Sequence, residues 1–375
     1  MSNKAAAVST QSGRTTILMG GAGIGKTTIF EQFFAMFRGY HMEVMPVAVM
    51  EHSDVGGMPY LSKDDVMCMS KPYWLQALWS AHDEGLTPVI FWDELTTAAP
   101  SIMAAALGVM QSYRAGAHPL PPNTLQMATA NPPEIAANGT ELPAPLANRM
   151  IHIQGENNVD TWVNGMINGF KAIEFPSLPE NWREKYLAQA RIDIASYIKA
   201  RPEQLYKFPE KESARSGPWP SNRSWDNASV VLAASRSIND EDDTGFEMVC
   251  GAVGNGSGAE LMQYISEQDL RAPQEILKLG KKYTLPQRGD QQFAELNSVT
   301  RHVVENTTPE SFAKIWDVLE ASATGGAADV AAGCMPALIN EIWMPKQASY
   351  AKDYKIPAAA LKAFGPILRE SGILK

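Results

Sequence analysis

The sequence predicts an α/β fold in which a parallel sheet carries a glycine-rich loop and, nearby, acidic and amide side chains. Residues 20–28, GGAGIGKTT, stand between a short β-branched and apolar run and an amphipathic stretch. A second apolar run, 87–92, ends in two adjacent carboxylates, and a third, 124–130, ends in Asn131 and Pro132. Apolar runs that alternate with helical segments are typical of parallel sheets, because helices cover both faces of such sheets.

The glycine-rich loop has the flanking elements that a phosphate-binding loop requires. Residues 15–19 before it are expected to form a strand, and residues 28–37 after it carry apolar side chains at helical spacing, closed by Gly39. Glycines let backbone N–H groups turn toward phosphates, and the helix N-terminus adds its positive end. The residues predicted to bind the nucleotide are Gly20, Gly21, Ala22, Gly23, Ile24, Gly25, Lys26, Thr27 and Thr28.

Four side chains have the chemistry of a phosphate and metal site. Lys26 is expected to reach the β and γ oxygens of a nucleotide, and Thr27 to supply a hydroxyl to Mg²⁺. Asp93, which follows the apolar residues 89–92, would hold the Mg²⁺ shell, and Glu94 would polarise a water for attack on the γ-phosphate. Two carboxylates after a strand also occur as a solvated strand end, but the phosphate loop upstream favours the catalytic interpretation.

Further elements narrow the nucleotide to ATP. Residues 42–50 are predicted to form a strand between the two motifs, and residues 73–84 a helix. An intervening strand and a glutamate beside the strand-end aspartate fit NTPases that use an additional catalytic acid, and no guanine-reading Asn-Lys-x-Asp motif occurs. Asn131 would lie beside the loop and orient the attacking water. A turn-forming asparagine before proline is the alternative.

The order of these motifs, followed by LPAPLANRM at 142–150, resembles the AAA+ ATPases and, among them, the MoxR-like branch. The resemblance implies that Arg149 is an arginine finger presented to a neighbouring subunit. It also implies that Arg223, at the start of a lid helix, contacts the γ-phosphate, although Asn222 stands where the family carries proline. Without the family, Arg149 is a surface residue and Arg223 an incidental residue of a helix capped by Ser221 or Asn222.

The predicted domain organisation follows from this resemblance and, toward the C-terminus, from helical patterns in the sequence. The predicted segments are a flexible N-terminal arm at 1–14, an AAA+ α/β nucleotide-binding domain at 15–156, a helical lid at 157–285 and a helical C-terminal extension at 286–375. Three helices are predicted in the extension, at 290–304, 309–321 and 326–343. Residues 51–60 resemble the element that this branch inserts near the central pore, where His52 and Tyr60 would contact a partner.

Composition excludes several classes of protein. The 375 residues, 45% hydrophobic and 19% charged, are typical of a folded globular chain of more than one compact unit. No apolar run is long enough to span a bilayer and no signal peptide is evident, so a cytoplasmic protein without a membrane segment is expected. Three separated cysteines indicate neither disulfides nor zinc, and the net charge of −9 argues against a large nucleic-acid surface.

These observations predict an ATP-hydrolysing protein with ATP and Mg²⁺ at the site. The resemblance implies a homo-oligomeric, hexameric ring whose hydrolysis is completed between subunits and which acts as a chaperone on a protein client. Clients of MoxR-like proteins often contain a von Willebrand factor A domain. Two alternatives stay open: a nucleotide-dependent binding switch or scaffold, and an AAA+ motor stimulated by nucleic acid.

Overall fold

The computed structural model describes residues 3–132, 140–155, 158–268, 270–348, 353–358, 360 and 364. The chain forms two compact units. The first comprises Met1–Leu187 and Glu203–Glu260, and the second comprises Ala188–Pro202 and Leu261–Lys375. None of the described helices combines the length and the apolar character needed to cross a bilayer.

The described strands all belong to the first unit. They are β1 (Thr16–Met19), β2 (Tyr40–Pro46), β3 (Pro59–Leu61), β4 (Met67–Met69), β5 (Thr87–Asp93), β6 (Arg114–Ala115), β7 (His118–Pro119), β8 (Leu125–Ala130) and β9 (Ile151–Gln154). Five of them form a sheet in the order β2-β5-β8-β1-β9, in which every neighbouring pair is parallel. The strands β3 and β4 form an antiparallel hairpin, as do β6 and β7.

The described helices lie in both units. They are α1 (Asn3–Ser12), α2 (Lys26–Met36), α3 (His52–Gly56), α4 (Tyr73–Asp83), α5 (Pro100–Ser112), α6 (Ala144–Ala147), α7 (Val159–Asn168), α8 (Ala188–Ala200), α9 (Asn222–Ser237), α10 (Phe246–Val253), α11 (Asn255–Ser266), α12 (Pro273–Leu279), α13 (Gly289–Glu305), α14 (Pro309–Thr324), α15 (Ala328–Ala337) and α16 (Met344–Ala348).

The parallel sheet confirms the predicted α/β P-loop fold, with a helical region toward the C-terminus. Because parallel strands point the same way, the carboxyl ends of β1, β5 and β8 meet at one edge. Strand β8 lies between β1, which leads into the glycine-rich loop, and β5, which ends in the carboxylates. Strand β2, the strand of this sheet that comes before β5 along the chain, lies at the edge of the sheet beside β5.

Helices cover both faces of the sheet, as its apolar strands require. On one face Ile90 and Trp92 of β5 share a core with Leu75 of α4. The side chain of Phe91, between them, lies on the opposite face. Its ring centroid is 5.5 Å from that of Phe30 in α2. Side chains of a strand alternate between faces, so one short run of β5 is buried on both sides.

The N-terminal segment differs from the predicted flexible arm. Residues Asn3–Ser12 form the helix α1, and its Ala5, Ala6, Ala7 and Val8 are fully buried. Two of these alanines pack in a small core with Phe33 of α2 and Phe175. Alanine has the highest helix propensity, and its small side chain lets the helix approach those aromatic rings closely.

The second unit has a helical core of its own, and its helices confirm the predicted pattern. Helices α13 and α14 coincide with the predictions at 290–304 and 309–321. The prediction at 326–343 becomes α15 followed by a wider helical turn, Leu338–Trp343. The change follows Pro336, which lacks the N–H needed to continue the regular hydrogen-bond pattern.

The predicted division into nucleotide-binding, lid and extension segments stays a prediction. The second unit draws residues from both the predicted lid and the predicted extension. The predicted boundary between residues 156 and 157 lies outside the described residues.

Candidate functional site

The glycine-rich loop follows β1 and is fixed to both neighbouring strands. The Gly20 N–H donates to the carbonyl of Ala130 at 3.1 Å, and the Gly155 N–H donates to that of Met19 at 2.6 Å. A Cβ at Gly20 would lie 2.5 Å from Ile24 Cδ1 and 3.1 Å from the Gly155 carbonyl oxygen. Any side chain at this position would therefore displace the start of the loop.

The loop then turns into α2 through two glycines with left-handed backbones. Gly23 has φ 78° and Gly25 has φ 88°. Residues other than glycine adopt such backbone angles only with strain. Helix α2 begins at Lys26 with no side chain capping its N-terminus. The first N–H groups of a helix lack intrahelical acceptors and carry the positive end of its dipole. Loop and helix together form a site suited to an anion.

The side chain of Lys26 is buried, and its ammonium lies inside this loop. Its Nζ donates to the carbonyls of Gly20 and Gly21, both at 2.9 Å, and to Asn131 Oδ1 at 2.7 Å. Burial lowers the pKa of Lys26, while the negative charges of Glu94 and then of Asp93 act to raise it. The ammonium therefore lies close to both predicted carboxylates and binds the predicted asparagine directly.

Thr27, in the first turn of α2, lies beside Asp93, the last residue of β5. Thr27 Oγ1 donates to Asp93 Oδ1 at 3.2 Å. A hydroxyl and a carboxylate oxygen at this spacing fit Mg²⁺, which is usually held by one or two protein oxygens together with substrate phosphates. The next residue, Glu94, has φ 56°, which is left-handed and costs a residue with a side chain about 1–3 kcal/mol. Such conformations cluster at active sites.

Two threonines that the sequence analysis did not single out join the ends of β5 and β8. Thr129 Oγ1 donates to Asp93 Oδ1 at 2.6 Å and accepts from the Glu94 N–H at 2.9 Å. Thr96 Oγ1 donates to the Asn131 carbonyl at 2.9 Å and accepts from its N–H at 3.2 Å. Both hydroxyls are buried, so each fixes the backbone beside a candidate catalytic residue.

A sequence signal for Thr129 exists, although it is weak. Thr129 is a hydroxyl in the apolar strand β8, two residues before Asn131. Buried hydroxyls have hydrogen-bond partners, so a partner was to be expected. The identity of that partner depends on β5 lying beside β8, which the local sequence does not specify.

The two predicted arginines lie near each other. Arg149 follows α6, and its Nη1 donates to the Pro145 carbonyl at 2.6 Å. Burial and then the positive charge of Arg223 lower the pKa of Arg149. In the described part of the chain neither guanidinium forms a salt bridge with a carboxylate. Two neighbouring guanidiniums without a carboxylate partner suit a bound phosphate, because each offers a fork of donors to its oxygens.

The structure thus brings the predicted residues together in two groups. Lys26, Thr27, Asp93 and Asn131 are joined by direct hydrogen bonds, and the Glu94 charge acts on Lys26. Arg149 and Arg223 form a separate pair, and among the described residues no hydrogen bond joins that pair to the first group.

Comparison with known proteins gives no family assignment. No protein-family model matches the sequence, and no curated protein matches it. Among solved structures, one described as a "putative ATPase" from Cytophaga hutchinsonii is similar, with 14% sequence identity and a TM-score of 0.41. The similarity covers 70% of this chain and 88% of that chain.

The hydroxyl of Thr129 is expected to matter for turnover. Thr129→Val keeps the shape of the side chain but removes its hydroxyl. The Glu94 N–H then has no acceptor and Asp93 loses a donor. We therefore expect ATP hydrolysis to fall about ten- to a hundredfold. The free energy of unfolding should fall by about 1–3 kcal/mol. Hydrolysis measured against Mg²⁺ concentration should also show a higher Mg²⁺ requirement.

A matched control exists in the residue that immediately precedes β8. Thr124 is also buried, and its Oγ1 donates to the Pro121 carbonyl at 2.7 Å. Thr124→Val should lower stability while leaving hydrolysis and its Mg²⁺ dependence unchanged. Equal turnover in the two variants would show that Thr129 has no special place at the site.

His152 gives stability a pH dependence. It is buried on β9 with Nε2 2.9 Å from the Ala147 carbonyl, and burial lowers its pKa from 6.5 to about 4. The unfolded chain thus binds a proton at a higher pH than the folded chain does. The contribution of the neutral ring is complete above pH 6.5 and is lost as the pH falls toward 4, by about 3 kcal/mol.

The variant His152→Gln keeps a donor but does not titrate. We expect its free energy of unfolding, measured by urea denaturation, to fall less than that of the native protein between pH 6.5 and pH 4. Parallel curves over this range would contradict a neutral, buried His152.

Proposed function

We propose that the protein is an ATP-hydrolysing enzyme of the AAA+ class, similar to the MoxR-like branch, that works in the cytoplasm as a ring of identical subunits. The observation that supports hydrolysis best is the hydrogen-bonded group at the carboxyl ends of β1, β5 and β8. It brings an ammonium, a hydroxyl, a carboxylate and an amide to one glycine-rich loop, and the charge of the adjacent Glu94 acts on the same ammonium.

Each residue has a role that its position supports. The loop N–H groups and Lys26 would hold the phosphates, and Thr27 with Asp93 would hold Mg²⁺, which would supply charge neutralisation to the phosphoryl group. Glu94 accepts a proton from the attacking water, and Asn131 orients that water. The strained backbone of Glu94 and the Thr129 hydroxyl fix the start of this acidic segment.

We further propose that Arg149 and Arg223 act together on the phosphates of a neighbouring subunit. Their proximity and the absence of a carboxylate partner among the described residues support a shared anionic ligand. A finger that stabilises transition-state charge is worth about 10³–10⁵ in rate. Hydrolysis would then depend on assembly of the ring.

A protein client is supported by the hairpin of β3 and β4. It exposes Tyr60 and Leu61 on one strand and Met67 on the other, each more than half accessible. Exposed apolar patches mark surfaces that bind other proteins or membranes, and this surface lacks the basic character of a nucleic-acid site. The client of our proposal is a protein that the ring remodels or assembles, such as one with a von Willebrand factor A domain.

The alternatives differ in what stimulates hydrolysis. A remodelling ATPase should be faster when its protein client is added, whereas a nucleic-acid motor should be faster with DNA or RNA. A binding switch or scaffold should hydrolyse slowly in both cases and associate with its partner only in one nucleotide state.

Glu94→Gln should bind ATP and stall. The amide cannot accept the proton of water, while the metal ligand Asp93 remains, so turnover should fall about 10²–10⁴-fold. Phosphate release and binding of a fluorescent ATP analogue measure the two effects. Glu84→Gln makes the same change at an exposed position before β5 and should keep full turnover. Unchanged hydrolysis in Glu94→Gln would remove Glu94 from the role of base.

Arg149→Ala should bind ATP normally and lose at least about 10³-fold in hydrolysis. Turnover per subunit of the native protein should rise with protein concentration, because dilution separates a finger from the site it serves. Arg38→Ala removes an exposed arginine after α2 and serves as the control. Normal hydrolysis by Arg149→Ala, or turnover per subunit independent of concentration, would exclude a finger supplied by another subunit.

A further inference from the structure

The residue before Arg149 is a buried asparagine that reaches across to the helix carrying Arg223. Asn148 is only 5% exposed. Its Nδ2 donates to the Trp219 carbonyl at 2.9 Å, and its Oδ1 accepts from Ser221 Oγ at 2.7 Å. Trp219 and Ser221 immediately precede α9, so a single amide binds the start of that helix twice.

Ser221 is also the residue that caps α9. Its Oγ accepts from the Ser224 N–H at 3.2 Å, and Ser224 Oγ accepts from the Ser221 N–H at 2.8 Å. The Ser224 hydroxyl lies 2.9 Å from the Trp219 carbonyl that Asn148 also binds. Arg223 is the second residue of α9, so these bonds fix its backbone.

The other side of the amide is equally fixed. Asn148 caps the C-terminus of α6, and its N–H donates to the Ala144 carbonyl at 3.1 Å. The Arg149 N–H donates to the Leu146 carbonyl at 3.0 Å. The Arg149 backbone is therefore held in a tight turn, and the residue before it, Asn148, is bound to the segment that leads into α9.

We propose that Asn148 is a positioning residue that sets the distance between the Arg149 and Arg223 guanidiniums, so that both contact one phosphate group. This inference rests on the proposed function. Like charges repel, so a pair of arginines stays close only if its backbones are held. Asn148, Trp219 and Ser221, which we call the clasp, hold them by buried bonds, and preorganised donors need no rearrangement when transition-state charge develops.

Asn148→Leu tests the clasp, because leucine has a similar size and forms no hydrogen bond. We expect the turnover number to fall about tenfold to a hundredfold, the effect of a small displacement of a catalytic group. The dissociation constant for a fluorescent ATP analogue should stay within about twofold, since the loop site is intact.

Gln204→Leu is the matched control. Gln204 is also 5% exposed, and its amide donates to Glu260 Oε2 at 3.0 Å and accepts from Ser257 Oγ at 2.9 Å. Both variants remove a buried amide with two hydrogen bonds and should lower the melting temperature, but Gln204→Leu should keep the native turnover number. If Asn148→Leu does not fold, Ser221→Gly removes the same serine bond with a residue tolerated at a helix start.

The deciding measurement repeats Asn148→Leu in a protein that also carries Arg149→Ala and Arg223→Ala. Phosphate release with enzyme in excess measures the low residual rate of that background. If Asn148 acts through the arginines, its removal should change this rate less than about twofold. The same fold loss in both backgrounds would show a general structural role and overturn the proposal.

Failure of the clasp is distinguishable from failure of the proposed function. A large loss in the arginine double variant, with native turnover in Asn148→Leu, overturns the clasp alone. Native turnover in the arginine double variant removes the arginines from the proposed reaction and overturns the clasp with them.

Discussion

The candidate site depends on the hydrogen bonds of the buried Lys26 ammonium. A buried cation is costly unless oxygen atoms satisfy it, and Lys26 has three such partners. Two are carbonyls of its own loop, so satisfying the charge also closes the loop. The third is Asn131 at the end of β8, whose backbone is bound by Thr96 after β5. One buried charge therefore links the ends of three parallel strands.

The fold was predictable where local pattern and tertiary environment agree. The loop needs a strand before it and a helix after it, and β1 and α2 are found there. Prediction failed for α1, because its polar and alanine-rich sequence does not reveal the aromatic surface that buries it. The helix predicted at 326–343 is found as α15 followed by the wider turn Leu338–Trp343, a change that comes directly after Pro336, which has no N–H.

Residue type alone indicated the candidate residues whose chemistry is rare in a buried place, whereas Asn131 was predicted from its strand and the two arginines from the resemblance. A lysine after glycines and two carboxylates after an apolar strand can be recognised from the residue types alone. Thr129 and Asn148 could not, because a threonine or an asparagine is ordinary until its partner is known. Their partners lie 36 residues away, at Asp93, and 73 residues away, at Ser221. Only the order of the strands and the packing of α9 make them neighbours.

Charge explains why the loop and the arginine pair are complementary. Around the loop, two carboxylates, Asp93 and Glu94, stand against the one ammonium of Lys26. A phosphate chain bound there would therefore keep an excess of negative charge even beside a divalent cation. Arg149 and Arg223 have the opposite imbalance, with no carboxylate partner in the described chain. In the proposed ring, bringing the two together would lower the electrostatic energy of both, which would favour contact between subunits when nucleotide is bound.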